Sequence, residues 1–81
     1  MIYRVSDIDV LSVAMVDAAG SWYVGTLLSG PLKEGDELDG TITETGIHEL
    51  RNESSECRMK VGMEISHING TAEDAKKWIA D

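Results

Sequence analysis

The sequence predicts a mainly β fold: a small open or closed β-barrel of five to six short antiparallel strands within residues 2–66, ending in one short C-terminal α-helix over 72–80. Three observations predict it. Turn signals built on glycine recur through an 81-residue chain at intervals too short for helices. Residues 57–65 alternate apolar and polar side chains with a period of two. After Thr71 the period changes to that of a helix.

The elements follow in order. Ile2 to Val5 is a short strand. Ile8 to Asp17 is rich in β-formers but alternates poorly, as a strand covered on both sides or bent would. Ala18-Ala19-Gly20-Ser21 is a turn, and Ser21 to Leu28 the next strand. Ser29-Gly30-Pro31 breaks it, and Lys33-Glu34-Gly35-Asp36 makes a second turn. Glu37 to Glu44 and Ile47 to Arg51 read as two further strands, and Asn52 to Glu56 as a polar loop. From Cys57 to Ile65, the side chains of Cys57, Met59, Val61, Met63 and Ile65 share an inward face. Arg58, Lys60, Gly62 and Glu64 face out. Ile68-Asn69-Gly70 is expected to turn. Thr71 is a good N-cap for the helix, and Glu73 and Asp74 suit its positive end. Ala72, Ala75, Trp78 and Ile79 form one stripe. A nine-residue helix is not stable alone, so Trp78 is expected to dock, plugging an end or an open edge of the barrel.

Size and composition bound the function. The chain is expected to be a single small domain, and Met1 together with the late helix favours a whole protein. No apolar run approaches the ~20 residues of a membrane span. The N-terminus lacks the basic start and apolar stretch of a signal peptide, so a cytoplasmic location is expected. Formal net charge is −8, from 15 acidic and 7 basic residues. The excess lies in residues 1–50, where the only cations are Arg4 and Lys33. Nucleic-acid binders rely on clustered Lys and Arg, so nucleic acid is not an expected partner. An acidic face suits a basic protein surface, and it also serves simply to keep a chain soluble.

Chemistry-bearing motifs are scarce. The single Cys57 rules out an internal disulfide and reads as a small buried hydrophobe. His48 and His67 are nineteen residues apart, without metal-ligand spacing, and each is expected in an exposed or structural role. Glu34, Asp36, Glu37 and Asp39 cluster without the carboxylate spacing of a calcium loop. No nucleophile elbow, phosphate loop or cofactor motif is present. Trp22 and Tyr23 are strand neighbours, so one faces in and the other out; the outward one is an ordinary surface aromatic or a contact anchor.

Residues 9–42 carry a further pattern. The run Val24-Gly25-Thr26-Leu27-Leu28-Ser29-Gly30-Pro31-Leu32-Lys33-Glu34-Gly35-Asp36-Glu37-Leu38 resembles the second, β-barrel domain of translation elongation and initiation factors. There a glycine-bearing strand and a Gly-x-Leu-Lys-x-Gly-Asp turn feed the next strand. The resemblance implies a barrel and an association with transfer RNA or the ribosome. The GTPase domain that accompanies the barrel in that family has no counterpart here.

Three functions follow. The leading expectation is a non-enzymatic protein-binding module: an acidic inhibitor, immunity or regulatory protein acting on a basic partner through Asp36, Glu37, Asp39 and one of Trp22 or Tyr23. A translation-factor-like barrel would gather Arg51, Arg58, Lys60, Lys76 and Lys77 on one face. An enzyme would set a histidine beside a carboxylate or Cys57. An open strand edge would also offer a route to self-association.

Overall fold

A computed structural model describes residues 1–80. It is a closed barrel of six antiparallel strands, β1 (Ile2–Asp9), β2 (Ser12–Asp17), β3 (Trp22–Ser29), β4 (Glu37–Asp39), β5 (Gly46–Asn52) and β6 (Lys60–Gly70), followed by helix α1 (Ala72–Ala80). The strand order is β1-β2-β3-β6-β5-β4, with β4 returning to β1. Two three-stranded meanders, β1-β2-β3 and β4-β5-β6, therefore join edge to edge.

Alternation along the strands builds the core. Tyr3 and Val5, Val13 and Met15, Tyr23, Leu38, Leu50, and Val61, Met63 and Ile65 all point inward and are buried. The two tyrosine rings meet edge to face, their centroids 5.0 Å apart. Gly25 sits where β3 crosses β6. A Cβ there would lie 2.6 Å from the Glu64 carbonyl oxygen, so only glycine permits the approach.

The elements depart from expectation at four places. Ile8 to Asp17 is not one strand: a tight hairpin turn at Val10 and Leu11 joins β1 to β2, with Asp9 opposite Ser12. Val10 takes φ 59° there, left-handed and unusual for a β-branched residue. A bulge at Ser6 also shifts the pairing between Val5 and Asp7, while the poor alternation of 8–17 reflects the turn and Ala14, buried on the outer face of β2 beneath α1. β4 stops at Asp39, well short of Glu44. β6 starts at Lys60, because Arg58 (φ 47°) breaks the strand before it. Cys57 and Met59 consequently stand in the preceding loop and are exposed rather than buried. At the other end Ile68-Asn69-Gly70 is not a turn, and β6 runs on through Asn69 (φ 54°) to Gly70.

The helix does not plug the barrel. Thr71 caps it in both directions: Asp74 N–H donates to Thr71 Oγ1 (3.2 Å), and Thr71 N–H donates to Asp74 Oδ2 (3.1 Å). It then lies on the outside of the wall, where Ala75, Trp78 and Ile79 cover Trp22, Ala14 and Val24. Pairing shifts along β3–β6 turn His67 and Gly70 outward beside Val24 and Trp22. The Trp78 indole stacks on the His67 ring at 4.3 Å and lies where a Gly70 Cβ would stand. The residue that enters the barrel interior is instead Ile42, from the β4–β5 connection. Ile42 is buried in the core, its N–H donating to the buried Tyr3 hydroxyl (2.9 Å).

Candidate binding surface

β4 organises the acidic side of the molecule. With Leu38 inward, Glu37 and Asp39 point to solvent. The preceding turn is tied to β1: Gly35 N–H donates to Val5 O and Val5 N–H to Asp36 O, both at 2.9 Å. Glu34 Oε2 accepts from Ile8 N–H (3.1 Å), which holds its carboxylate near Asp7 and Asp9 on β1. Glu34, Glu37, Asp39, Asp7 and Asp9 thus form an exposed carboxylate strip along β1 and β4, with Arg4 and Lys33 as its side-chain cations. The terminal ammonium of Met1 lies 3.3 Å from Asp39 Oδ1. That pair is exposed and contributes little.

Two of the residues expected at the binding surface are not on it. Asp36 is buried, because the turn needs its carboxylate. Oδ2 accepts from Lys33 N–H (3.0 Å) and from Asn52 Nδ2 (2.9 Å). Asn52, itself 1 % exposed, also donates to Pro31 O and accepts from Ser54 N–H, both at 3.0 Å. The cluster ties the β3–β4 connection to the end of β5. Tyr23 is the inward aromatic. Its hydroxyl donates to Asp17 Oδ2 (2.9 Å). Burial and this bond push the Tyr23 pKa up to about 12. Asp17 is held below the usual carboxylate range chiefly by the Ser21 N–H, which donates to Oδ1 across the β2–β3 turn.

The remaining three, Glu37, Asp39 and Trp22, share one face of the barrel. The register pairs Glu37 with Arg4, Arg4 with Val16, and Val16 with Trp22, one transverse row on the outer face of β4-β1-β2-β3. Its three interstrand gaps span roughly 14 Å. Asp39 lies beside the row, opposite Ile2. An open groove of about 810 Å³ follows it, lined by Ile2, Arg4, Val16, Trp22 and Glu37 among others. Trp22 is half-buried between this groove and the helix, where it also lines a smaller hollow with Ala75 and Ile79. The groove therefore joins an aromatic wall to a carboxylate rim, with Arg4 between.

The two histidines stand on different strands, His48 on β5 and His67 on β6. His48 Nε2 donates to the Glu44 carbonyl (2.8 Å), and His67 lies under Trp78. Among the described residues, neither hydrogen-bonds to a carboxylate side chain, and no three His, Cys, Asp or Glu side chains converge to hold a metal ion. The basic residues do not form one face. Arg51, near the end of β5, and Lys60, at the start of β6, are neighbours, and Lys60 Nζ is 3.5 Å from Glu49. Arg58 pairs with Glu53 at 3.4 Å. Lys76 and Lys77 ride on α1, which follows the far end of β6, ten residues along that strand. No helix among the described residues is long and apolar enough to cross a membrane.

Comparison with protein-family models, with curated proteins and with solved structures finds no match.

Proposed function

We propose that the chain is a non-catalytic protein-binding module that takes a basic surface of another protein across the β4-β1-β2-β3 face. The observation that carries this reading is the placement of Glu37 and Trp22 on one groove, with Asp39 next along β4 and Glu34, Asp7 and Asp9 continuing the negative charge along β1. Trp is the commonest anchor of protein interfaces, and carboxylates on a rim accelerate encounter with a cationic partner. An inhibitor of a nucleic-acid enzyme fits the same chemistry, with carboxylates standing where phosphates would bind. The alternative, a translation-factor-like barrel on RNA, rests on the resemblance over residues 9–42 and lacks the gathered cations that phosphates require.

The test is capture from the native lysate by the tagged chain, with and without nuclease, comparing wild type with Glu37→Lys/Asp39→Lys. These two carboxylates are exposed, so the substitutions leave the buried Asp36 cluster alone. The expected result is one nuclease-resistant protein, retained by wild type and lost by the variant. Ribosomal proteins that disappear with nuclease, or capture indifferent to the charge reversal, would overturn the reading.

A further inference from the structure

The barrel closes between β4 and β5 through very little. The pairs are Leu38 with Asn52 and Asp39 with Arg51. Beyond them Asn52 N–H donates to Met59 O across the β6 side, and Glu53 N–H to Glu37 O across the β4 side, both at 2.8 Å. Main-chain groups alternate along a strand. The main-chain N–H and C=O of Gly46, His48, Leu50 and Asn52 therefore point at β6, and those of Ile47, Glu49 and Arg51 point at β4.

β4 has ended by the time β5 reaches Glu49. Continuing the register would set Thr41 against Glu49 and Thr43 against Ile47. The chain leaves that line at Gly40, whose N–H donates to Met1 O (3.1 Å), and Ile42 enters the core. Among the described residues nothing hydrogen-bonds to the main chain of Ile47 or Glu49 on this side. The corresponding edge of β1 is different, since the Gly35–Asp36 turn and Glu34 cover it. Ile47 is also 73 % exposed on the outer face.

We infer that the free edge of β5 at Ile47–Glu49 receives an extended segment of a basic protein partner as an added strand. This rests on the binding reading above and names a second contact of the same partner. Two outward residues of β5 offer one N–H and one C=O each, the main-chain contacts of strand addition. The side chains set the pattern of the incoming segment. A β-branched residue fits beside Ile47, and a Lys or Arg, on the same face and two positions away, fits beside Glu49. Glu64, opposite Ile47 on β6, and Glu44 add to the negative surroundings, while Lys60, 3.5 Å from Glu49 in an exposed pair, and Arg51 offset them on the side towards β4. A second copy of this chain is the disfavoured occupant. It would bring a charge of −8 to an edge flanked by its own Glu44, Glu49 and Glu64.

The probe is a capped synthetic peptide in which Ile and Lys stand two positions apart, with Thr between and on either side (Thr-Ile-Thr-Lys-Thr), followed by amide hydrogen exchange. In the free chain Ile47 and Glu49 amides exchange quickly while His48 and Leu50 are protected. The peptide is expected to slow Ile47 and Glu49 by about ten-fold or more. The same peptide with Glu in place of Lys leaves them fast. Glu49→Pro removes an outward N–H and no ladder bond, so the barrel keeps its fold while protection of Ile47 is lost. Glu49→Gln keeps the N–H and retains most of the protection. Slow exchange at Ile47 and Glu49 in the free chain would overturn the inference. So would protection unchanged in Glu49→Pro, or a dimer that covers the edge without peptide. Lysate capture that survives Glu49→Pro but fails in Glu37→Lys/Asp39→Lys removes the edge from the interface and leaves the carboxylate strip standing.

Discussion

Replacing Asn52 by Ala is expected to destabilise the barrel more than any single surface change. Its side chain makes three hydrogen bonds, to Pro31 O, Asp36 Oδ2 and Ser54 N–H. The two neutral bonds contribute about 1 kcal/mol each, and the one to the ionised Asp36 about 1.5–3 kcal/mol. Asn52 and Asp36 are 1 % and 5 % exposed, so water cannot replace the lost donor without opening the loop. The expected loss is therefore about 3–5 kcal/mol, a large part of the roughly 4–12 kcal/mol total for a domain of this length. In a thermal melt it appears as a fall in Tm on the order of 15–25 °C. A cycle of Asn52→Ala, Asp36→Ala and the double variant is expected to show about 1–2 kcal/mol of coupling, because each residue removes the other's partner. Asn52→Asp keeps the acceptor for Ser54 and sets a second carboxylate against Asp36. It is expected to be as damaging at neutral pH and to recover part of the loss as pH falls. A loss below about 1 kcal/mol for Asn52→Ala, or strict additivity in the cycle, would refute the reasoning.

Three further outcomes follow from the geometry. Gly70→Ala puts a methyl group into the Trp78 ring, so it is expected to cost about 1–3 kcal/mol and to strip hydrogen-exchange protection from α1 ahead of the barrel; an unchanged melt would mean that the indole does not seat there. Val10→Gly relieves a left-handed β-branched residue that is 88 % exposed, and is expected to raise stability by roughly 0.5–1 kcal/mol in denaturant unfolding; a loss would show the turn to be unstrained. Because the Tyr23 pKa is raised, its contribution is full below the unfolded value near 10 and is lost as pH rises towards about 12. Asp17 works in the opposite sense, its contribution holding above the unfolded value of 3.8 and fading as pH falls below it. Tyr23 ring shifts followed by NMR check the alkaline limb, and titration near 10 in the folded chain would show that neither burial nor the Asp17 bond raises it.

The barrel was legible in the sequence because its inward face is written in alternation and its corners in glycine. Val61, Met63 and Ile65 fall where a period of two places them. What escaped the sequence was hidden by residues that break their usual rules. The β1–β2 turn carries Val10 and Leu11 with neither glycine nor asparagine, so the hairpin reads as one long strand. Asn69-Gly70 has the composition of a turn, yet it lies in the last stretch of β6 with Asn69 left-handed. Cys57 and Met59 keep the apolar parity of β6 by coincidence, since Arg58 has already broken the strand. Pairing shifts, which no side-chain pattern announces, decide where α1 docks by turning His67 and Gly70 outward. At the candidate site, the alternation of Trp22 and Tyr23 told that one faces inward, and it was Tyr23. The burial of Asp36 depends on Asn52, sixteen residues away and inside what reads as a polar loop.

The brevity of β4 links the features proposed for binding. Three residues give it room for one inward side chain, Leu38, and two outward carboxylates, Glu37 and Asp39. On its β1 side Glu37 borders the groove that ends at Trp22. On its β5 side, where β4 stops, the main chain of Ile47 and Glu49 is left open. Gly40 decides that ending. The Leu50 side chain occupies the space where a Gly40 Cβ would lie, and the chain turns from β5 towards Met1 and the core. Continuing β4 to Thr43 would have paired Ile47 and Glu49 and closed the barrel along its length, but the bend takes Ile42 to the Tyr3 hydroxyl instead. A small barrel with a thin core thus gains a buried isoleucine and leaves two residues of edge exposed. The groove and the free edge lie on opposite flanks of the same short strand, close enough for one partner to occupy both.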